Sequence, residues 1–292
     1  MKILKGHAET CYAIAFTPTA RLVSVSLDYT VRLWDAEACT EIWRTRYDPG
    51  AVPGSVAVSP DGTLVAVGPH WGGPLMVLRT ATGEVAAREG DANGGMTAFS
   101  ADGRWVALAS GTGLGLWRTD TFAPVTLPLP WLPWGMGRFA VAFSPDGKCM
   151  ATTGGIGGAL PIYDLEAKEV RHFVVGFSLA PTLLRYSPDG RLLVGISRKT
   201  LKVVDVQSGS VVHRDDLPNR HYQSAAFSPD GRLLAAAAND SVVRFWDTAT
   251  WTVKADFAWR IGQVLDVTFA PDGMRAAASG RSGKVVVWDV DD

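Results

Sequence analysis

Three residues near the start of the chain, His7, Ser24 and Asp28, are the types a nucleophilic hydrolase needs: an imidazole to take a proton from a hydroxyl, and a carboxylate to orient the imidazole. A second set reads as recognition chemistry. Trp71, Trp131, Trp134 and Trp259 stand in connecting segments together with Arg198, Lys199, Arg220, His221, Arg260 and Arg281, and aromatic anchors beside arginines are the composition of an interaction hot spot. Phosphate chemistry finds less support. The runs Gly111-Thr112-Gly113-Leu114-Gly115 and Gly154-Gly155-Ile156-Gly157-Gly158 fall between short apolar segments where a hairpin turn belongs, and neither opens a helix. Gly283-Lys284 lacks the upstream Gly and the downstream Ser or Thr of a phosphate-binding loop. The sequence contains no HExxH, CxxC, GxSxG or calcium-loop spacing, and His7, His70, His172, His213 and His221 are scattered singly. No metal and no cofactor is expected.

The elements that would position these residues come in copies. Ser228-Pro229-Asp230-Gly231 is a turn with Pro presetting φ near −65° and Gly free to take positive φ. Related turns start at Thr17, Ser59, Ser100, Ser144, Ser187 and Ala270, at intervals of 41 to 44 residues. A fixed period in that range signals a propeller or solenoid. Each turn is followed by an apolar run and then by a second run ending in a bulky residue, at Trp34-Asp35, Leu78-Arg79, Trp117-Arg118, Tyr163-Asp164, Val204-Asp205, Trp246-Asp247 and Trp288-Asp289. Runs of four to seven β-branched and aromatic residues between Gly, Pro, Asp and Ser predict an all-β protein with almost no helix.

With Gly6-His7 opening the first copy, the sequence resembles the WD-repeat β-propeller family over essentially all of its 292 residues. The resemblance implies one seven-bladed β-propeller spanning 1–292, each blade a four-stranded antiparallel sheet. The first copy predicts strands at about 12–16, 22–26, 30–34 and 41–46. Only four residues follow Trp288, too few for an outer strand, so Met1 to Lys5, with Ile3 and Leu4 at their centre, are expected to complete the seventh blade. Overlap of this kind removes an exposed sheet edge.

The same resemblance places His7, Ser24, Asp28 and Trp34 in the hydrogen-bonded tetrad of a WD repeat. A His–Asp pair, a hydroxyl for the second ring nitrogen and an acceptor for the indole N–H account for all four residues, so the tetrad is preferred to a catalytic triad. Later copies depart from the pattern: the sixth keeps Asp240 and Trp246 but has Ala236 for the hydroxyl, the seventh has Ser282 at the Asp position, and the third and fourth have Gly111 and Gly157 there. Most blades therefore rest on packing.

Net charge is −1, from 28 basic and 29 acidic residues, so no global field steers the chain to nucleic acid or an anionic bilayer. Cys11, Cys39 and Cys149 fit neither a disulfide framework nor a metal knuckle, the start is too short in apolar residues for a signal peptide, and no run spans a membrane. A soluble, unprocessed, cytoplasmic monomer is expected.

On the innermost strands a bulky residue (Phe16, Val58, Phe99, Phe143, Tyr186, Phe227, Phe269) follows a small one at every copy except the fifth, where Arg185 precedes Tyr186. Arg185 is expected to reach a solvated channel or a carboxylate such as Asp266. In a meander the connections between blades and the turns between second and third strands share one face of the ring. That face carries the variable segments, from 48–54 to the Pro/Trp-rich 128–137, and the tryptophans and arginines named above. The resemblance implies a non-enzymatic scaffold, docking there a protein or peptide with an acidic element. The alternatives are a carbohydrate-binding propeller with Trp71, Trp131 and Trp134 as stacking platforms, and an enzyme with its site at the axial channel. The Pro/Trp segment could instead pack on its own blade and plug the channel mouth.

Overall fold

The computed structural model describes residues 1–127, 139–153, 158–177 and 180–290. Every named element within them is a strand, twenty-seven in all, numbered here in chain order. The turn chemistry explains their regular spacing. In the second copy the Ser59 hydroxyl donates to Asp61 at 2.6 Å and accepts from the Leu64 amide at 2.9 Å, while the Asp61 carboxylate accepts the Thr63 amide at 3.0 Å. Gly62 sits at φ +73°, where a Cβ is strained. The first copy has no glycine there, and Ala20 takes φ +59° instead.

The strands form seven antiparallel sheets, covering 11–46, 52–92, 95–118, 141–174, 183–216, 222–258 and, with the chain start, 264–289. In the first, the strands are β2 (Cys11–Phe16), β3 (Leu22–Ser26), β4 (Thr30–Asp35) and β5 (Thr40–Arg46), within a residue of the expected bounds. The third blade has three named strands, and beyond β12 (Gly113–Arg118) the outer position holds a single bridge, Trp117 to Pro124.

Both faces of each blade are apolar, so each must be covered by a neighbour. One core cluster joins Val23, Val25 and Leu33 of the first blade to Val65, Val67 and Met76 of the second. The innermost strands β2, β6 (Val52–Val58), β10 (Gly95–Phe99), β13 (Val141–Phe143), β17 (Leu183–Tyr186), β21 (Tyr222–Phe227) and β25 (Val264–Phe269) touch one another in sequence, and β25 returns to β2. The sheets therefore close into a seven-bladed β-propeller around an axial channel.

Closure uses the chain start. Strand β1 (Lys2–Leu4) pairs antiparallel with β27 (Val285–Asp289) through Lys2–Val287, Ile3–Val286 and Leu4–Val285. Leu4 is buried in a cluster with Trp34 and Val287, which joins the last blade to the first. Among the described residues no helix is long and apolar enough to cross a membrane, and all three cysteines are free.

Candidate partner-binding face and the first-blade tetrad

Strand β3 and the turn after it bring His7, Ser24, Asp28 and Trp34 together. His7 Nδ1 lies 2.9 Å from Asp28 Oδ2, His7 Nε2 lies 2.7 Å from Ser24 Oγ, and the Trp34 indole donates to Ser24 Oγ at 2.8 Å. A carboxylate only accepts, so His7 donates through Nδ1; its Nε2 then accepts the Ser24 hydroxyl, whose oxygen accepts the indole. One direction of donation runs through all four residues. Burial acts to raise the Asp28 carboxyl, but the hydrogen bonds from His7, Thr30 and the Ala8 amide outweigh it and hold the group well below the usual carboxylate range. Ser24 is fully buried, and none of His7, Ser24 and Asp28 lines either channel cavity, so the trio offers no attacking oxygen to a substrate.

The network is wider than the four residues. The Thr30 hydroxyl donates to Asp28 Oδ1 at 2.5 Å, and Arg32 reaches Asp28 at 3.1 Å and Glu41 at 2.8 Å while buried. The sequence pattern alone does not single out Thr30 and Arg32, because alternate positions on a strand are routinely polar. In the seventh blade the indole nitrogen of Trp288 is buried without a hydrogen-bond partner among the described residues.

At the start of the innermost strands, on the face of the blade connections, the channel opens into a cavity of about 640 Å³. Trp71, 59% exposed at the end of β7 (Leu64–Trp71), stands on its rim. It meets the His70 ring edge-on at 4.6 Å, and His70 stacks on Tyr12 at 4.2 Å, so an aromatic ladder bridges the first two blades. Arg281 and His221 line the same cavity. Trp259 is placed differently: it is half-buried, stacked on Phe257 at 5.4 Å and against Trp288 at 4.1 Å. Arg260 beside it is exposed. Arg220 pairs with Asp240 at 2.5 Å, and Lys199 donates to the Pro218 carbonyl at 2.9 Å. Trp131, Trp134 and the whole of 128–137 lie outside the described residues, as does Gly157.

Deeper in the channel stand Arg185 and Asp266, which line both this cavity and a second one of about 460 Å³ toward the Ser-Pro-Asp-Gly turns. Asp266 accepts the Ile14 amide at 2.8 Å, the Ser224 hydroxyl at 2.5 Å and the Val267 amide at 2.9 Å, and so ties the seventh blade to the sixth and the first. Burial pushes its carboxyl upward, against those bonds and the field of Arg185. The two side chains form no ion pair: Arg185 donates to the Leu184 carbonyl at 3.0 Å. No group of three His, Cys, Asp or Glu side chains that could hold a metal occurs among the described residues.

Residues 1–35, 219–247 and 259–289, the first, sixth and seventh blades, match the family model described as WD domain, G-beta repeat. Three blades of the seven-bladed propeller therefore carry WD repeats. Pre-mRNA-processing factor 19 homolog 2 of Arabidopsis thaliana is 35% identical over 88 residues, 30% of this propeller and 17% of that protein. WD repeat-containing protein VIP3 of the same plant is 25% identical over 166 residues, 52% of each chain. WD repeat-containing protein SL1-17 of Schistosoma mansoni is 27% identical over 210 residues, 71% of this propeller and 54% of that chain. The propeller thus spans about half the length, or less, of these relatives.

Proposed function

We propose that this WD-repeat propeller is a non-enzymatic scaffold that docks a protein or peptide, carrying an acidic element, on the face where the blade connections lie. The observation that carries this reading is Trp71, a large aromatic exposed on the rim of a cavity whose wall includes Arg185 and Arg281. A rigid ring supplies the platform, and the rim supplies an aromatic anchor with cationic neighbours. Arg260, exposed beside the half-buried Trp259, is proposed to add to the basic character of this face. The near-zero net charge favours local recognition of a protein over nucleic acid or an anionic membrane. The scaffold is proposed to act as a cytoplasmic monomer.

Affinity capture from lysate tests the reading, comparing the wild-type chain with a Trp71→Ala/Arg281→Ala variant whose circular dichroism is unchanged. The expected result is a set of proteins retained by wild type and lost by the variant. Capture of the same set by both chains contradicts the proposed face.

A further inference from the structure

Six of the seven innermost strands carry Ala or Thr immediately before their bulky final residue, and the fifth carries Arg185. That side chain stands where the two channel cavities meet. Among the described residues its single hydrogen bond, to the Leu184 carbonyl, leaves most of a five-donor guanidinium unused, and it forms no ion pair. Asp266 shares the wall, but its oxygens already take three hydrogen bonds from Ile14, Ser224 and Val267. Arg281, at the outer end of the same cavity, likewise has no ion pair among the described residues. The cavity therefore presents two guanidinium groups without an ion-pair partner among the described residues and one carboxylate that is spoken for.

We infer that Arg185 is the floor of a carboxylate-binding site, which takes an aspartate or glutamate side chain of a docked peptide entering by way of Trp71 and Arg281. This rests on the docking reading above and names the chemistry it selects. Guanidinium and carboxylate match as a two-pronged pair, and the match strengthens where water is excluded. Burial pulls the Arg185 guanidinium below its ordinary range while the Asp266 field works the other way and offsets the burial only in part, so an arriving carboxylate adds to that compensation. A volume of about 640 Å³ admits an acidic side chain with its flanking backbone, and lies within the usual range of ligand pockets.

The test is fluorescence anisotropy with two labelled pools of capped decapeptides of random Gly, Ser, Ala and Tyr, one with a central glutamate and the other with glutamine. Wild type is expected to bind the glutamate pool at least about tenfold more tightly, and Arg185→Ala to abolish that preference, with Arg281→Ala reducing it less. Arg185→Ala restores the residue that five other blades have at this place, so the fold tolerates it; Arg185→Lys should recover part of the preference. Equal binding of the two pools, a preference that survives Arg185→Ala, or no binding of either pool overturns the inference. Displacement by free glutarate at peptide-equivalent concentration assigns the site to small dicarboxylates and overturns the peptide. Equal binding of both pools that weakens in Trp71→Ala leaves the docking face standing without the carboxylate site.

Discussion

The Ser24 oxygen mediates between an indole and an imidazole, and removing it leaves two buried nitrogens unsatisfied. Each such loss costs about 1–3 kcal/mol, so Ser24→Ala should destabilise the chain by about 2–6 kcal/mol in denaturant titration. A loss below about 0.5 kcal/mol would show that the tetrad adds little. The buried Trp288 nitrogen, without a hydrogen-bond partner among the described residues, is the seventh blade's own version of that mutant. His7, Ser24, Asp28 and Trp34 were legible as a set because their residue types complete one another within a single repeat. Asp266 was legible only as a neighbour of Arg185. Its partners stand 42 and 252 residues away, and nothing local marks a carboxylate that will stitch three blades together.

Among the elements, the turns between first and second strands carry a pH signature. The hydroxyls of Ser144, Ser187 and Ser228 and the following amides hold the carboxyls of Asp146, Asp189 and Asp230 below the usual range. A carboxyl held low in the folded state binds its proton more weakly there than in the unfolded chain. Its stabilisation is therefore complete above the unfolded value of about 3.9 and is lost as pH falls below it. The melting temperature should fall steeply below about pH 4, and an Asp146→Asn/Asp189→Asn/Asp230→Asn variant should melt lower at pH 7 and show a flatter acid limb. Parallel acid limbs would contradict this. Asp266, raised by burial, contributes with the opposite sign. Strand β1 makes a second prediction at this scale. Removing residues 1–5 strips Ile3 and Leu4 from the last blade, about 1.5–3 kcal/mol each, and bares the edge of β27, so the melting temperature should drop by roughly 10 °C. An unchanged melting temperature would refute closure through β1. The turns announced the strands because Pro, Asp, Ser and Gly act locally. The third blade's outer position, reduced to the Trp117–Pro124 bridge, was not legible, because a short edge strand on a ring perimeter needs no distinctive pattern.

For the molecule as a whole, the repeat period narrowed the fold to a propeller or a solenoid, since units that are apolar on both faces must stack, and the resemblance to the WD repeat pointed to the closed ring. The functional face was harder to read. Trp71 and Trp259 look equivalent as residues in connecting segments, yet one stands exposed at the channel mouth and the other packs between Phe257 and Trp288. That difference depends on neighbouring blades, as does the pairing of Tyr12 with His70. Partners are proposed to dock where the innermost strands begin, over the cavity with Trp71, Arg185 and Arg281. The most direct measurement is amide hydrogen exchange on the propeller with and without a partner retained by wild type and lost by the Trp71→Ala/Arg281→Ala variant. Slowed exchange is expected at Thr10–Ala13, Gly54–Val56, His221–Ser224 and Gln263–Asp266, the stretches that line that cavity. Slowing confined to the Ser-Pro-Asp-Gly turns or the outer strands would contradict it.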